Sequence, residues 1–209
     1  MTVSSARLGT LFIVSAPSGA GKTSLVKALR ESTGGLAVSV SHTTRNQRAG
    51  EVEGKDYFFV DHDEFQDMVD EGAFLEHARV FDNFYGTSKA SVEDNLQNGR
   101  DVILEIDWQG ARQVRGLSPK SKSIFILPPS LEALESRLRG RAQDDDQVIA
   151  RRMKDALAEM SHFGEFDYLV VNDDFEAALR ELQSIVIASR LKVFNQSRTH
   201  AALIEGLLG

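Results

Sequence analysis

The segment that most constrains the fold is FIVSAPSGAGKTSLVKAL, residues 12–29. An apolar run rich in β-forming residues leads into a loop of proline, serine and glycine, and from Lys22 onward apolar residues recur at helical spacing. This order predicts a strand, a glycine loop and a helix. A loop in that position directs backbone N–H groups at an anion, with the positive end of the helix dipole behind them. The segment therefore predicts a phosphate-binding loop.

The loop matches the pattern G-x-x-x-x-G-K-[ST] except at its first position, where Ala16 replaces glycine. Pro17 biases Ala16 towards an extended conformation, in which the added methyl group costs little, so we interpret the change as tolerated. Gly21 leaves room for the backbone, Lys22 supplies a cation for the β- and γ-phosphates, and Thr23 supplies a hydroxyl for Mg²⁺. The alternative is a glycine–serine turn with a surface lysine, which the flanking strand and helix make less attractive.

The rest of the chain alternates between strand-like and helix-like segments. Apolar, β-forming runs occupy residues 36–44, 55–61, 101–107, 123–129 and 166–173. We expect residues 36–44 to form one strand and residues 175–196 to form one long helix. Such alternation predicts an α/β fold with a mostly parallel sheet, and the middle third reads as an insertion into it.

Composition limits the classes of function. The 209 residues contain no cysteine, which excludes disulfides and thiolate metal sites and favours a reducing, cytoplasmic location. No run approaches the roughly 18 apolar residues that a membrane span needs. The net charge of −7 makes the chain a poor general partner for nucleic acid. We therefore expect neither a membrane nor a nucleic-acid partner.

Two acids stand at the end of the strand predicted over residues 101–107. Glu105 and Asp107 are two residues apart, so on a strand they would point to the same face. The carboxyl ends of parallel strands are where α/β sheets bind ligands, which favours contact with a metal or a substrate. The alternative is that one of the acids caps the turn that follows.

Arginines on the helices beyond residue 130 could serve phosphate chemistry. Arg137 and Arg141 are four residues apart and share a helix face, and Arg152 follows after an acidic link. Phosphoryl transfer requires positive charge around the migrating group. The alternative is a solvated basic helix face.

A longer pattern, S-x-T-T-R-x-x-R-x-G-E-x-x-G-x-x-Y over residues 41–57, is more specific than the loop. Together with SAPSGAGKTS, FLEHARVFDNFYGTS, ILEIDWQG, SIFILPPS, LRGR and VVNDDF, it makes nearly the whole chain resemble the bacterial type of guanylate kinase. The resemblance implies a P-loop nucleoside-monophosphate-kinase fold with a five-stranded parallel core sheet flanked by helices. One domain, 1–209, would comprise a core (1–40, 91–129 and 163–209), an inserted GMP-binding region (41–90) and a helical lid (130–162).

The resemblance also implies an activity. The family transfers the γ-phosphoryl group of ATP to GMP or dGMP with Mg²⁺, as part of purine nucleotide metabolism and GMP recycling. ATP and GMP or dGMP would be the partners. The resemblance leaves open whether the chain forms a homo-oligomer. One rival is a non-catalytic phosphopeptide-binding module, against which the intact Lys22 and Thr23 argue. The other is a sister kinase acting on a ribose bisphosphate, which would not need Glu76 and Thr87.

Residue roles follow from matching this sequence to the family's motifs. Those expected to bind ATP are Ala16, Pro17, Ser18, Gly19, Ala20, Gly21, Lys22, Thr23 and Asn172. Those expected to bind GMP are Ser41, Arg45, Arg48, Glu51, Tyr57, Glu76, Tyr85, Thr87 and Asp107. Those expected to carry catalysis are Lys22, Arg45, Arg137, Arg141 and Arg152. Mg²⁺ would bind Thr23, with Glu105 or Asp107 helping directly or through water; Glu105 replaces the family's usual aspartate.

Chemistry supports the guanine assignment. Guanine presents N1–H and N2–H₂ as donors, and a carboxylate such as Glu76 accepts from both. Adenine lacks that donor pair and would leave the carboxylate unpaired, a kind of mismatch that can discriminate by about 10⁴ to 10⁵.

Overall fold

The structure is a computed structural model that describes residues 7–80, 82–140 and 146–209. Its strands are β1 (Leu11–Ser15), β2 (Leu36–Val38), β3 (His42–Thr43), β4 (Phe58–Phe59), β5 (Phe74–Val80), β6 (Asn83–Ser88), β7 (Asp101–Glu105), β8 (Lys122–Leu127) and β9 (Tyr168–Val171). Its α-helices are α1 (Lys22–Ser32), α2 (His62–Asp70), α3 (Lys89–Gln97), α4 (Trp108–Leu117), α5 (Leu131–Arg139), α6 (Asp146–Met160), α7 (Phe175–Arg190), α8 (Val193–Thr199) and α9 (Ala201–Leu208). A 3₁₀ turn spans Phe163–Glu165.

The core is a five-stranded sheet in the order β2-β7-β1-β8-β9, and all its strand pairs are parallel. This confirms the α/β class and the five-stranded parallel core. Strand β1 lies at the centre, and every one of its residues is buried. The strand–loop–helix order predicted for the opening segment is also present, because β1 ends at Ser15 and α1 begins at Lys22.

Helices cover both faces of this sheet. Phe12 belongs to a buried cluster with residues of α1 and α7, whereas Ile13 belongs to a second cluster with residues of α3 and α4. Successive strand residues point to opposite faces, so a run that is apolar throughout can supply both clusters. This explains why β1 reads as a continuous apolar segment.

The predicted strand over residues 36–44 was wrong, because the chain divides it between two sheets. Strand β2 pairs with β7 in the core, and Ser39 N–H still donates to the carbonyl of Ile103. Strand β3 then belongs to a four-stranded sheet in the order β4-β3-β6-β5, where His42 pairs with Phe58 and Gly86. No glycine or proline marks the division, so only the pairing partners reveal it.

Helices α5 and α6 form a small unit with its own apolar interior. Leu134, Leu138, Ile149 and Ala156 are buried together there. These two helices lie beside the phosphate loop, since a side chain at Gly19 would meet the leucines of α5. Within the part of the chain that the structure describes, no helix is long and apolar enough to cross a membrane.

The single long helix predicted over residues 175–196 was also wrong, because α7 ends at Arg190 and α8 begins at Val193. The side chain of Asn195 donates to the carbonyl of Ser189, and that of Gln196 donates to the carbonyl of Arg190. These amides satisfy carbonyls that a helix end leaves without intrahelical partners. The break therefore rests on side-chain hydrogen bonds rather than on glycine or proline.

Candidate active site

The phosphate loop connects the central strand to α1, and two of its glycines have left-handed backbone conformations. Gly19 has φ of 92° and Gly21 has φ of 94°. A side chain at Gly21 would clash with Nδ2 of Asn172, and one at Gly19 would lie 2.9 Å from Leu134. Any other residue at either position would be strained and crowded. The loop backbone is thus free to face a ligand closely.

Asn172, directly after β9, contacts both the loop and Arg137 of α5. Its side-chain Nδ2 donates a 2.7 Å hydrogen bond to the carbonyl of Ala20. Its own carbonyl accepts a 3.0 Å hydrogen bond from Arg137. The second terminal nitrogen of that guanidinium, Nη1, is buried and has no hydrogen-bond partner among the described residues. Arg137 therefore stands beside the loop with a buried donor still to be satisfied.

Three acidic side chains lie near the half-buried Lys22. Burial lowers the pKa of Lys22, against the opposing charges of Glu105, Glu159 and Asp107. Burial in turn raises the pKa of Glu159, although a hydrogen bond from the backbone of Ser18 and the charge of Lys22 act in the other direction. Glu159 lies in the last turn of α6 and was missed at the sequence level. Nothing in its local pattern marks it as facing the loop.

A cleft of about 500 Å³ opens between the start of α1 and the second sheet. Lys22, Thr23 and Glu105 line one side of it. Of the residues expected to bind GMP, it is also lined by Ser41, Glu51, Tyr57 and Thr87. The fold thus brings residues that the sequence assigned to two different substrates to one cleft.

Glu51 organises the arginines of the segment after β3. Its Oε1 lies 2.7 Å from Nη2 of Arg45, and its Oε2 accepts a 2.8 Å hydrogen bond from the backbone of Arg48. The hydrogen bond from Arg45 is the main cause that lowers the pKa of Glu51. Arg45 also lies over the ring of Tyr57, 5.4 Å from its centroid, and Tyr57 meets Tyr85 at 6.0 Å. A guanidinium and two phenols therefore converge, while the side chain of Arg48 is exposed.

A buried carboxylate lies next to Thr87, which lines the cleft. Glu76 accepts a 2.6 Å hydrogen bond from the hydroxyl of Thr87, and both residues are buried. Burial raises the pKa of Glu76; the bond from Thr87 opposes that rise and the nearby charge of Asp107 adds to it. Glu76, Thr87 and Asp107, which are far apart in the chain, are brought close together.

The expectation that Glu105 and Asp107 share a strand face was wrong. Strand β7 ends at Glu105, and Asp107 is the N-cap of α4, where it accepts a 2.8 Å hydrogen bond from Gly110 N–H. The alternative reading, that one acid caps the following turn, is the correct one. A cap satisfies one of the donors that a helix start leaves without partners. It also fixes the Asp107 carboxylate at the edge of the site.

Gly110 was missed at the sequence level. A Cβ at this position would lie 3.0 Å from Oε2 of Glu76 and 3.5 Å from Oδ1 of Asp107. The glycine therefore leaves the space that the Glu76 carboxylate fills. A glycine inside a helical segment was the signal that could have drawn attention to it.

A cluster of side chains just after the end of α6 was missed as well. Trp108 stacks on His162 with ring centroids 3.5 Å apart, and Glu165 receives hydrogen bonds from Arg112, Arg115 and His162. The bond from Arg112 is the main cause that lowers the pKa of Glu165 to about 2. This cluster ties the start of α4, next to Asp107, to the end of α6.

The remaining predicted residues have simpler positions. Ala16 follows β1 directly and packs against the apolar core. The Pro17 carbonyl accepts a 3.1 Å hydrogen bond from Ala20 N–H, and Ser18 is exposed. Arg152 lies in α6, while Arg141 lies outside the described residues.

The side chains near the loop suit Mg²⁺. The structure shows no group of three or more His, Asp or Glu residues, among those it describes, that could hold a metal. Mg²⁺ in kinases is usually held by one or two protein ligands together with substrate phosphates and water. Thr23 and Glu105, which line one cleft, supply donors of that number and kind.

Comparisons with known proteins agree on one family. The family model described as guanylate kinase matches residues 8–189. The chain is 62% identical to a guanylate kinase of Methylococcus capsulatus over 96% of this chain and 98% of that one. It is 58% identical to a guanylate kinase of Escherichia coli K12 over the same shares of both chains. A solved guanylate kinase of Anaplasma phagocytophilum superposes with a TM-score of 0.73 and 37% identity, covering 91% of this chain and 90% of that one.

Proposed function

The chain belongs to the guanylate kinase family and catalyses the transfer of phosphate from ATP to GMP, and we propose how its residues divide this reaction. The observation that carries the proposal is the shared cleft. Lys22 and Thr23 of the phosphate loop line it, and so do Ser41, Glu51 and Thr87. A donor nucleotide on the loop and an acceptor on the second sheet would therefore meet within one enclosure.

The donor half would be built on the loop. Backbone N–H groups of residues 18–23 would cradle the phosphates of ATP, with Lys22 beside the β- and γ-phosphates. Asn172 would stay hydrogen-bonded to Ala20, and Arg137 would turn its buried, unpaired nitrogen to a phosphate oxygen. Mg²⁺ would be held by Thr23 and, directly or through water, by Glu105 or Asp107, and when bound it neutralises charge on the phosphates.

The acceptor half would be built on the second sheet. Arg45 and Arg48, with Ser41 and the phenols of Tyr57 and Tyr85, would bind the phosphate of GMP. In the structure Glu51 holds Arg45 in place, so this guanidinium is oriented before a ligand arrives. A planar guanidinium group can donate two parallel hydrogen bonds to two oxygens of one phosphate. Such binding would orient the attacking oxygen of GMP towards the γ-phosphate of ATP.

The base of GMP would be recognised at the buried carboxylate. Glu76 would accept from N1–H and N2–H₂ of guanine, while Thr87 and Asp107 would contact its remaining polar edge. Thr87 already donates to Oε1 of Glu76. The same site would accept dGMP, because none of these side chains is assigned to the ribose.

Catalysis would depend on positioning and charge. An oxygen of the GMP phosphate attacks the γ-phosphorus in line, the bond to the β-phosphate oxygen of ATP breaks, and ADP leaves. No protein nucleophile is needed, because the reacting groups are already a phosphate and a phosphoanhydride. Lys22 and Arg137, with Arg141 and Arg152 of the lid, would stabilise the charge on the migrating group.

Two segments would move against the core during the reaction. Residues 41–90 would act as the GMP-binding region and residues 130–162 as a lid, both moving against the core to exclude water. The enzyme would work in the cytoplasm, in purine nucleotide supply and GMP recycling.

A panel of nucleoside monophosphates tests the specificity. A coupled assay of ADP formation should show ATP consumption with GMP or dGMP and background rates with AMP, CMP or UMP. Equal turnover of AMP would contradict the role of Glu76. Turnover of a ribose bisphosphate, or phosphopeptide binding without turnover, would favour one of the two rivals.

The loop assignment is tested separately. Lys22→Ala should lose most of kcat, because no other described cation occupies its place at the head of α1. Lys154→Ala, an exposed lysine of α6, is the control and should keep normal turnover. Near-normal kcat in Lys22→Ala would contradict the assignment.

A further inference from the structure

A second cavity lies at the amino end of the core sheet, opposite to the phosphate loop. It has a volume of about 640 Å³ and opens between the start of β1, the start of β8 and the junction of α7 with α8. Leu11 and Lys122, at the first positions of β1 and β8, both line it. Its volume falls within the range of about 300–1,000 Å³ that is typical of small-molecule sites.

The lining combines apolar groups with lysines. Leu8, Leu11, Leu96, Pro119 and Phe194 supply apolar surface. Lys120, Lys122 and Lys192 supply three ammonium groups, and no Asp or Glu of the described residues lines the cavity. The whole chain carries a net charge of −7, so this concentration of positive charge departs from the average of the molecule. Its charge is complementary to an anion.

Two of these lysines lie against each other. Lys192 is exposed, but slight burial of its ammonium group lowers its pKa, and the charge and hydrogen-bond contact of Lys122 lower it further. Asp167 is the acid that acts on Lys192 in the other direction. Its Oδ2 already accepts hydrogen bonds from the backbone and the hydroxyl of Ser123, at 2.8 Å and 2.9 Å. An anion between the two ammonium groups would relieve their repulsion.

Buried hydroxyls and an exposed ring add to the site. Ser121 and Ser189 line the cavity, are 6% and 2% exposed, and have hydroxyls without a hydrogen-bond partner among the described residues. Unpaired buried polar groups are uncommon in proteins, and these two hydroxyls are able to donate to an anion in the cavity. Phe194 is 58% exposed, and the ammonium of Lys120 lies 5.9 Å from its ring centroid.

We propose that this cavity binds a small organic anion that has one flat apolar group, such as an aromatic carboxylate, sulfonate or phosphate ester. The anionic group would lie between Lys122 and Lys192, and the flat group would lie on Phe194 and the leucines. The cavity is at the opposite edge of the sheet from the nucleotide cleft, and none of the residues that the structure describes lines both. The ligand would therefore bind independently of ATP and GMP, and the inference does not depend on the residue roles proposed above.

Anilinonaphthalene sulfonate, whose fluorescence rises in apolar surroundings, is a suitable probe because it joins an anion to flat rings. It should bind the full chain with saturating fluorescence in the presence of excess ADP, GMP and Mg²⁺. The double variant Lys122→Gln/Lys192→Gln should weaken binding by about tenfold or more, because it removes both charges that face the anion. Lys154→Gln is the matched control and should bind the probe as the unaltered chain does.

Guanylate kinase activity checks that the double variant is folded, since neither lysine belongs to the proposed catalytic machinery. A second variant, Leu8→Trp, fills the mouth of the cavity without changing charge and should also weaken binding. Inorganic pyrophosphate should compete poorly, because it lacks the flat group. Equal affinity in the unaltered chain and the active double variant, or complete displacement of the probe by ADP and GMP, would overturn the proposal.

Discussion

The hydroxyl of Thr87 donates a 2.6 Å hydrogen bond to Oε1 of Glu76, across the antiparallel pair of β5 and β6. The bond occupies one oxygen of a carboxylate that is only 6% exposed. The other oxygen, Oε2, faces Gly110, where the missing side chain leaves space. A buried carboxylate that is oriented in this way can select a partner with two adjacent donors, as guanine has.

Replacing Thr87 with Val should reduce kcat/KM for GMP by about 10-fold to 100-fold, since hydrogen bonds to charged groups contribute about 1.5–3 kcal/mol. The KM for ATP should stay unchanged, because Thr87 lies in the second sheet. Steady-state kinetics with each substrate varied in turn would measure both values. Thr87→Ser keeps the hydroxyl and should behave nearly as the unaltered chain. An equal loss of kcat/KM for GMP in Thr87→Ser and Thr87→Val would contradict the role of this hydroxyl.

Replacing Glu76 with Gln should raise stability at neutral pH while it impairs GMP turnover. Burial raises the pKa of Glu76 in the folded state above its unfolded value of about 4.3. The folded state therefore holds the proton more tightly, so stability falls as pH rises from the unfolded pKa through the folded pKa. Glu76→Gln does not lose stability in this way, because its side-chain amide does not ionise.

The difference in Tm between Glu76→Gln and the unaltered chain, measured by thermal denaturation across pH, should be largest near pH 7. It should shrink as pH falls below the unfolded pKa of about 4.3, where the unaltered carboxyl becomes protonated in both states. A difference that does not depend on pH would indicate that ionisation of Glu76 is not the cause.

Replacing Gly110 with Ala should raise the KM for GMP and leave that for ATP nearly unchanged. The new Cβ would lie 3.0 Å from Oε2 of Glu76, which would have to shift by some tenths of an ångström. Gly116→Ala lies in the same helix, with no described atom within 4 Å of its new Cβ, and is the matched control. The control should gain about 0.5–1 kcal/mol of stability from helix propensity and keep its kinetics. Identical kinetics for the two variants would contradict the prediction.

Replacing Glu165 with Gln should lower Tm at neutral pH. Its carboxylate pairs with Arg112 and Arg115, and its pKa is lowered to about 2 in the folded state. Stability from such a group is present above the unfolded pKa of about 4.3 and is lost as pH falls towards 2. The Tm difference should therefore vanish through that window.

Glu181→Gln changes an exposed glutamate of α7 and is the control, for which only a small and nearly constant Tm difference is expected. If the Tm difference of Glu165→Gln persists at pH values near 2, ion pairing is not its source.

Replacing Glu159 with Gln should lower the KM for ATP by about threefold to tenfold. A carboxylate beside Lys22 repels the incoming phosphates, and unit charges a few ångströms apart interact by roughly 1 kcal/mol in a highly polar environment. Asp155→Asn removes the same charge about one turn earlier on α6, at an exposed position, and should have a smaller effect. The difference in KM for ATP between Glu159→Gln and the unaltered chain should be smaller at high salt than at low salt, because salt screens the repulsion. An increased KM in Glu159→Gln would contradict the repulsion.

Several features could be predicted from the sequence because they depend on neighbours in the chain. The order of strand, loop and helix around Lys22, the glycines at 19 and 21, and the buried run of β7 are all encoded by local spacing. The alternation of such segments is enough to predict a parallel α/β sheet. Similarity to a known family, rather than spacing, indicated the residues expected to bind GMP.

Other features arise only when distant segments meet. No glycine or proline interrupts residues 36–44, and the division between two sheets depends on whether β7 or β6 offers the next hydrogen bonds. Glu76 becomes a buried carboxylate because Thr87 and Gly110 come to lie against it. Glu159 faces Lys22 only after α6 has packed beside the loop. Local sequence thus determined where the chain can form strands, helices and a phosphate loop, whereas tertiary packing decided the charge, partners and burial of each functional group, because these depend on contacts that no local pattern records.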